Sequence, residues 1–312
     1  MSATPRLIGL DWGTTALRSF LLGDDGAILD SRALPLGIMH VSEGGFPAAF
    51  DRAAGDWRRQ WPHLQAIAAG MVGSAQGWVP APYRTCPTGP DELAAGLART
   101  PDGALHIIPG VMQAGDAPDV MRGEETQIAG ALALMPALQR SARLVMPGTH
   151  SKWVRIAEGR IQGFTTYMTG ELFAVLAGHS ILGRPAAEAA AGAGRATNWD
   201  AFSRGVAAVQ ATPRGLAPLL FSTRSLVLTG QLPAADSLDY LSGLLIGEEL
   251  RSALDEGDRP VLIGEPALCQ RYRHAFTQFG LPDLDVVANG AAAGLWRVAL
   301  QAGLVAMEET RQ

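Results

Sequence analysis

Leu7-Ile8-Gly9-Leu10-Asp11-Trp12-Gly13-Thr14-Thr15-Ala16-Leu17-Arg18-Ser19-Phe20-Leu21-Leu22 is the stretch on which the fold turns. Leu7 to Leu10 reads as a short apolar strand, Asp11 to Thr15 as a tight polar turn, and Ala16 to Leu22 as a second strand. Gly23-Asp24-Asp25-Gly26 turns the chain again, into a third strand over Ala27–Ala33. About 135 positions later the pattern recurs. There Leu144–Met146 is a strand, Pro147-Gly148-Thr149-His150-Ser151 the turn, Lys152–Ile156 the second strand, and Glu158-Gly159 the turn into Arg160–Tyr167. Gly13-Thr14 and Gly148-Thr149 hold equivalent places, so each half opens with a three-stranded antiparallel meander.

Between the meanders, apolar spacing predicts helices over Phe46–Gln60 and Glu124–Leu138 and strands over Leu64–Ala69 and Leu105–Ile108. The second half offers helices at Glu171–Ala177, Trp199–Gln210 and Ser237–Leu254, and strands at Pro260–Ile263 and Leu284–Val287. Leu216–Leu228 has a helical period, although Ser225–Leu228 also reads as a strand. Ala186–Gly194 is loop-like or a short surface helix, and a last helix starts near Gly290 and passes Leu304. The apolar stripe Leu241–Leu250 reads as core. The expected fold is α/β, with two similar lobes and a cleft between them: residues 1–140 with 290–312 packing back on them, then residues 141–289.

Composition sets the outer limits. Of 312 residues, 47% are hydrophobic and 18% charged, ample apolar surface to offset ordering entropy, so a disordered chain is excluded. No run of about 18 apolar residues exists, which argues against a membrane span. Met1–Arg6 carries no basic stretch with an apolar core behind it, so no export signal is expected. Cys86 and Cys269 are too few for a disulfide framework or a four-ligand zinc site and suit reduced thiols in the cytoplasm. The net charge of −5, without a dense basic stretch, argues against nucleic acid. Of 25 basic residues 24 are arginine, and Lys152 is the only lysine. Its survival points to a place where a compact ammonium works and a planar guanidinium does not, with chance survival as the alternative.

The two turns carry chemistry. Gly13 lets backbone approach an anion, while Thr14 and Thr15 add hydroxyl and amide donors. Asp11 closes the first strand, where a carboxylate would hold hydrated Mg²⁺ beside phosphate oxygens. An ordinary hairpin turn also uses Asp and Gly. Its partner, Gly148-Thr149-His150-Ser151-Lys152, is equally rich in donors, so two loops would grip a polyphosphate from opposite sides. Lys152 would add a point charge as transfer proceeds, and His150 is either a ligand contact or a solvated loop residue.

The arrangement resembles the phosphate hairpins of the actin-like ATPase and sugar kinase superfamily. More narrowly, the chain resembles the 2-dehydro-3-deoxygalactonokinase family through five blocks: Gly9–Thr15, Gly70–Ser74 with Gln76-Gly77-Trp78, Met121–Gln127, Pro147–Trp153 and Asp239–Gly247. In one respect it departs from the superfamily: the second hairpin often carries an acidic residue, and Pro147–Ser151 has none.

The resemblance implies two ribonuclease-H-like lobes, the first for a sugar acid and the second for nucleotide. It also implies ATP-dependent phosphorylation of the 6-hydroxyl of 2-dehydro-3-deoxygalactonate. In related sugar kinases the base is an acidic residue after a glycine at a helix start, which points to Glu124 after Gly123, with Glu125 next. Acidic residues also favour helix starts for their own sake. A sugar acid implies Arg122 for the carboxylate and Ser74 and Gln76 for the hydroxyls. Trp12, Trp78 and Tyr83 would wall its carbons, with core packing as the alternative. Val261-Leu262-Ile263-Gly264 looks like the adenosine motif, with Gly264 under the base, and Ala288–Gly294 resembles the family's closing helix. A kinase for a related sugar acid or ketose, and a non-catalytic ATP-binding regulator, are the rival readings. A homodimer is compatible with the sequence, which does not fix the oligomeric state.

Overall fold

The computed structural model of the chain describes residues 4–189, 195–288 and 290–305. Contacts divide it into two units: 1–142 with 154–164 and 289–312, and 143–153 with 165–288.

Unit 1 begins with β1 (Leu7–Trp12), β2 (Leu17–Leu22) and β3 (Ile28–Leu34), followed by α1 (Phe46–Gln60) and β4 (Gln65–Gly70). Then come β5 (Arg84–Thr85), α2 (Pro90–Ala94), β6 (Ala98–Arg99), β7 (His106–Ile107), β8 (Val111–Gln113), β9 (Asp119–Met121) and α3 (Glu124–Leu134). Its six-stranded sheet has the order β3-β2-β1-β4-β7-β6. β1 pairs antiparallel with β2 and parallel with β4, and β4 is parallel with β7. A central strand buried on both faces needs apolar residues on both, which is why β1 is almost continuously buried while edge strand β3 is half polar. α1 turns Phe50, Ala53, Ala54 and Trp57 inward at helical spacing onto that sheet.

The next strands are β10 (Ser141–Met146), β11 (Ser151–Ala157) and β12 (Arg160–Tyr167). Helices α4 (Thr169–His179), α5 (Arg184–Glu188), α6 (Trp199–Gln210), α7 (Ala217–Leu220), α8 (Ser222–Leu228) and α9 (Ser237–Ala253) follow. Then come β13 (Val261–Ile263), α10 (Pro266–Gln278), β14 (Val286–Val287) and α11 (Gly290–Gln301). The second sheet runs β12-β11-β10-β13-β14, with β10, β13 and β14 parallel. Both sheets therefore share one order over five strands, the meander reversed and then two parallel strands, with β6 added antiparallel at the edge of the first. In unit 2, α6 crosses α9 at two glycines: a methyl on Gly205 would lie 2.3 Å from the Tyr240 carbonyl oxygen, and one on Gly243 2.0 Å from that of Phe202. In unit 1, α11 lies against α3 in the same way, with Gly294 under the Thr126 carbonyl.

Several elements differ from the sequence reading. The helix from Glu124 stops at Leu134 because Pro136 cannot continue it, and Pro136–Gln139 forms a 3₁₀ turn. Residues 217–228 are two short helices, so Ser225–Leu228 is not a strand. The last helix ends at Gln301, short of Leu304, ahead of Gly303 with its φ of +66°. Of Ala186–Gly194, the start belongs to α5, and residues 190–194 lie outside those described, as does Asn289 of the Ala288–Gly294 block. A separate three-stranded sheet, β5-β8-β9, was not foreseen. The hairpin of residues 154–164 groups with unit 1 rather than with the chain that follows it. Thr88 bridges Ile161, Gln113 accepts from the Phe164 amide, and Arg160 pairs with Glu92 at 2.7 Å.

Candidate active site

In unit 1 the turn after β1 has its carbonyls fastened from behind. The amides of Gly37, Ile38 and Met39 donate to the carbonyls of Thr15, Gly13 and Thr14 at 3.1–3.2 Å. Thr14 and Thr15 are exposed, and their own amides donate to no backbone acceptor among the described residues. Such a turn offers donors outward. Asp11 sits one residue inside the end of β1, opposite Arg18 in the ladder, whose guanidinium is 3.9 Å away. Burial pushes the Asp11 carboxyl up, and Arg18 draws it down in part. Among the described residues no three His, Cys, Asp or Glu side chains gather as metal ligands. The donor set at Asp11 is therefore one hard carboxylate, which fits Mg²⁺ held largely by water and phosphate oxygens.

Trp12 alternates to the other face of β1 and is fully buried. Its indole N–H donates to Leu36 O at 2.8 Å, and its ring packs on Phe46 and Trp78. Of the two readings of Trp12, wall for a ligand or core packing, these surroundings are those of core packing. Trp78 lies between, stacked on Phe46 and edge-on to Phe50 at the rim of the same cluster.

Chain segments far apart in sequence converge at the end of β4. Gly70, with φ +93°, packs so that a methyl would lie 2.7 Å from Trp12 O, and Gly123, with φ +105°, stands against Gly70. These two glycines bring Met71–Ser74 and Glu124 to the edge where β1 also ends. Glu124 is partly exposed, and its Oε2 accepts the Arg122 amide at 3.0 Å. Arg122 lays its guanidinium over Tyr83 at 4.5 Å and donates from Nη2 to Ala81 O at 2.7 Å. Nε and Nη1 of Arg122 and Oγ of Ser74 are buried and take no hydrogen-bond partner among the described residues. Buried donors without acceptors are costly, so these three have hydrogen-bonding capacity to spare for water or a polar ligand. Gln76 is exposed nearby in sequence.

Glu125, the second candidate base, is fully buried. It accepts the Gly123 amide at 2.6 Å and the Thr126 hydroxyl at 3.0 Å. Burial, and then the neighbouring Glu124, push its carboxyl up to about 8. A carboxyl enclosed in this way braces the start of its own helix and has no exposed surface.

In unit 2 the turn Gly148–His150 leaves Thr149 and His150 exposed, and His150 Nε2 lies 2.5 Å from Glu171 Oε2. Ser151 is different. It begins β11, is fully buried, and its hydroxyl bonds the Tyr272 phenol at 2.8 Å. Tyr272 in turn donates to Glu249 Oε2 at 2.6 Å, Trp153 Nε1–H donates to Glu249 Oε1 at 2.7 Å, and the Thr169 hydroxyl donates to Oε2. Ser151 is thus buried under the turn, while Thr149 and His150 are its exposed residues. Burial raises the Glu249 carboxyl despite these donors. Lys152, on the opposite side of the strand from Ser151 and Trp153, is buried and donates to Thr166 Oγ1 at 2.7 Å.

Glu249 was missed because a glutamate inside an apolar stripe has the same letter as one on its surface. Its phase was visible: Glu249 falls seven residues after Ser242, on the face that carries Leu245 and Ile246. That face, with α10, forms a pocket of about 490 Å³ bounded by Gly148, Thr149, Phe173, Leu268, Arg271 and Ser242. Gly264 lies at its margin, against Pro147 at the ends of β13 and β10. Arg271 is steadied by Asp239 at 3.1 Å and Thr197 at 2.9 Å.

Two sheets that share one order over five strands, each with a donor-rich turn after its first strand, make an α/β fold built on a repeat. Comparison with known proteins is narrower. The profile of a family described as 2-keto-3-deoxy-galactonokinase matches residues 11–298. A protein of Escherichia coli (strain K12) named 2-dehydro-3-deoxygalactonokinase is 37% identical over 304 residues, 95% of this chain and 98% of its own. One of Rhizobium meliloti (strain 1021), named a probable 2-dehydro-3-deoxygalactonokinase, is 40% identical over 294 residues, 92% of this chain and 94% of its own. The crystal structure of a Sinorhizobium meliloti protein assigned to the same activity superposes with a TM-score of 0.84 at 38% identity, covering 94% of this chain and 98% of that one. The chain belongs to the 2-keto-3-deoxy-galactonokinase family.

Proposed function

We propose that the protein transfers the γ-phosphoryl group of ATP to the 6-hydroxyl of 2-dehydro-3-deoxy-D-galactonate, giving 2-dehydro-3-deoxy-6-phosphogalactonate and ADP in galactonate breakdown. The observation that carries the reading is the set of buried, partnerless donors on Arg122 and Ser74 beside the partly exposed carboxylate of Glu124. Donors of that kind suit an acidic substrate, and a carboxylate next to them suits the proton of an alcohol. The names of the relatives point to the same substrate.

In this reading Arg122 takes the sugar-acid carboxylate, Ser74 and Gln76 its hydroxyls, and Tyr83 and Trp78 flank the carbon chain. Gly13 leaves room for phosphate oxygens beside the amides and hydroxyls of Thr14 and Thr15, and Gly148, Thr149 and His150 hold phosphate oxygens as well. The nucleoside lies in the pocket of α9 and α10, with Gly264 at its edge. Asp11 would hold Mg²⁺ through water, and the ion would neutralise phosphate charge. The 6-oxygen bonds to the γ-phosphorus as the bond to the leaving ADP oxygen breaks. Its proton passes to Glu124, whose carboxylate the Arg122 amide keeps aimed, and Lys152 stabilises the charge that develops.

The test is ADP release with ATP, Mg²⁺ and a panel: 2-dehydro-3-deoxygalactonate, its gluconate epimer and a simple ketose. The expected result is sugar-acid-dependent ADP with the galacto compound turned over best. Turnover of the ketose instead, or ADP release that no sugar stimulates, would overturn the reading.

A further inference from the structure

A glycine stands behind each polar turn, at the same offset in the two units. Gly37 is the third residue after β3 ends at Leu34, and Gly170 the third after β12 ends at Tyr167. A methyl on Gly37 would lie 2.3 Å from the backbone nitrogen and carbonyl carbon of Thr15. One on Gly170 would lie 2.4 Å from the Gly148 carbonyl oxygen and 2.8 Å from Thr149 Cα. Real Cβ atoms do not approach backbone so closely, so the turn or the segment behind it would have to move.

Conformation does not demand glycine at either place. Gly37 has φ −60°, open to any residue, and Gly170 lies in the first turn of α4 with no positive φ. What both positions require is the absence of a side chain. The backbone beyond each glycine then reaches the turn's carbonyls: Ile38 and Met39 donate to Gly13 and Thr14, and Glu171 donates to Thr149 at 2.9 Å. A carbonyl engaged from behind cannot face an incoming anion, so the close approach leaves the turn's donor side for the ligand.

We propose that Gly37 and Gly170 are paired positioning residues for phosphoryl transfer, each setting how deep its turn sits and which way its carbonyls point. The third strand of each meander would thus serve to deliver the glycine that shapes the first hairpin. The proposal rests on the reading that both turns hold the nucleotide's phosphates.

The experiment compares Gly37→Ala, Gly170→Ala and a control, Gly205→Ala, whose methyl would meet backbone equally closely at 2.3 Å but in the α6–α9 contact. Steady-state kinetics give KM for ATP and for the sugar acid, and hydrogen exchange reads residues 13–16 and 148–151 with and without Mg-ADP. Gly37→Ala and Gly170→Ala should raise KM for ATP about tenfold or more, as expected for several misplaced hydrogen bonds. They should leave KM for the sugar acid near wild type and lose the nucleotide-dependent protection. Gly205→Ala should lower Tm and keep the Mg-ADP-dependent protection of both turns. Ile38→Pro supplies a variant without an added methyl at residue 37. At a 3₁₀ start where proline fits, it removes the amide that donates to Gly13 along with a side chain packed on the core. Ile38→Ala, which trims the side chain alone, is its reference. KM for ATP of Ile38→Pro should rise about three- to tenfold over that reference, the worth of one hydrogen bond. Wild-type protection with unchanged KM for ATP in all three turn variants would overturn the glycine proposal alone. Absence of protection at both turns in the wild type would overturn the underlying phosphate reading, and the proposal with it.

Discussion

Lys152 explains its own solitude among arginines. It is 4% exposed and donates to Thr166 Oγ1 from inside β11, where a planar guanidinium would bring more bulk and five donors to satisfy. Lys152→Arg should therefore cut kcat about tenfold or more, equivalent to ~1.4 kcal/mol of barrier, although charge is kept. Steady-state kinetics check this, and wild-type rates would show that the site accepts either cation. The two adjacent glutamates should separate by function. Glu124→Gln should lower kcat about 100-fold or more with little change in KM, in the range of general-base loss. Glu125→Gln should act on stability. The Glu125 carboxyl moves from 4.5 to about 8 on folding, so the folded state holds the proton more tightly than the unfolded one. Its contribution is complete below pH 4.5 and falls as pH rises towards about 8, by about 1.4 kcal/mol per pH unit between those limits. Tm of the wild type should drop between pH 5.5 and 8.5 more steeply than that of Glu125→Gln; parallel curves would contradict the assignment.

At the scale of elements, Glu249 ties α9 to β11, α4 and α10 through Trp153, Thr169 and Tyr272. A Gln there offers one acceptor where the carboxylate has two, so at least one buried donor loses its partner at a cost of about 1–3 kcal/mol. Glu249→Gln should lower Tm and also raise KM for ATP, because Thr169 and Tyr272 border the pocket. Calorimetry with kinetics tests both, and a Tm loss without a KM change would make the network purely structural. The meanders were legible because Asp11–Thr15 and Asp24–Gly26 punctuate alternating apolar runs, and α1 and α6 have the boundaries their spacing predicts. The sheet β5-β8-β9 was not, since strands of two or three residues show no period. Trp12 reads both ways in the sequence, because it adjoins the turn while strand alternation sends it to the face opposite Asp11.

Across the whole molecule, one strand order is used twice, and each copy supplies a turn with exposed threonine and amide donors. The repeat was readable from Gly13-Thr14 and Gly148-Thr149. The convergence of Asp11, Ser74, Arg122 and Glu124 was not, because it depends on Gly70 and Gly123 meeting backbone to backbone across some fifty residues of chain. Phosphoryl transfer needs little covalent chemistry from protein, so the placement of these groups is the larger part of what the fold supplies. The most direct measurement is a crystal structure with Mg²⁺ and a non-hydrolysable ATP analogue. Its triphosphate should accept hydrogen bonds from the Thr14–Thr15 turn and from Gly148–Thr149, with the nucleoside between α9 and α10. Phosphates bound away from both turns would contradict that arrangement.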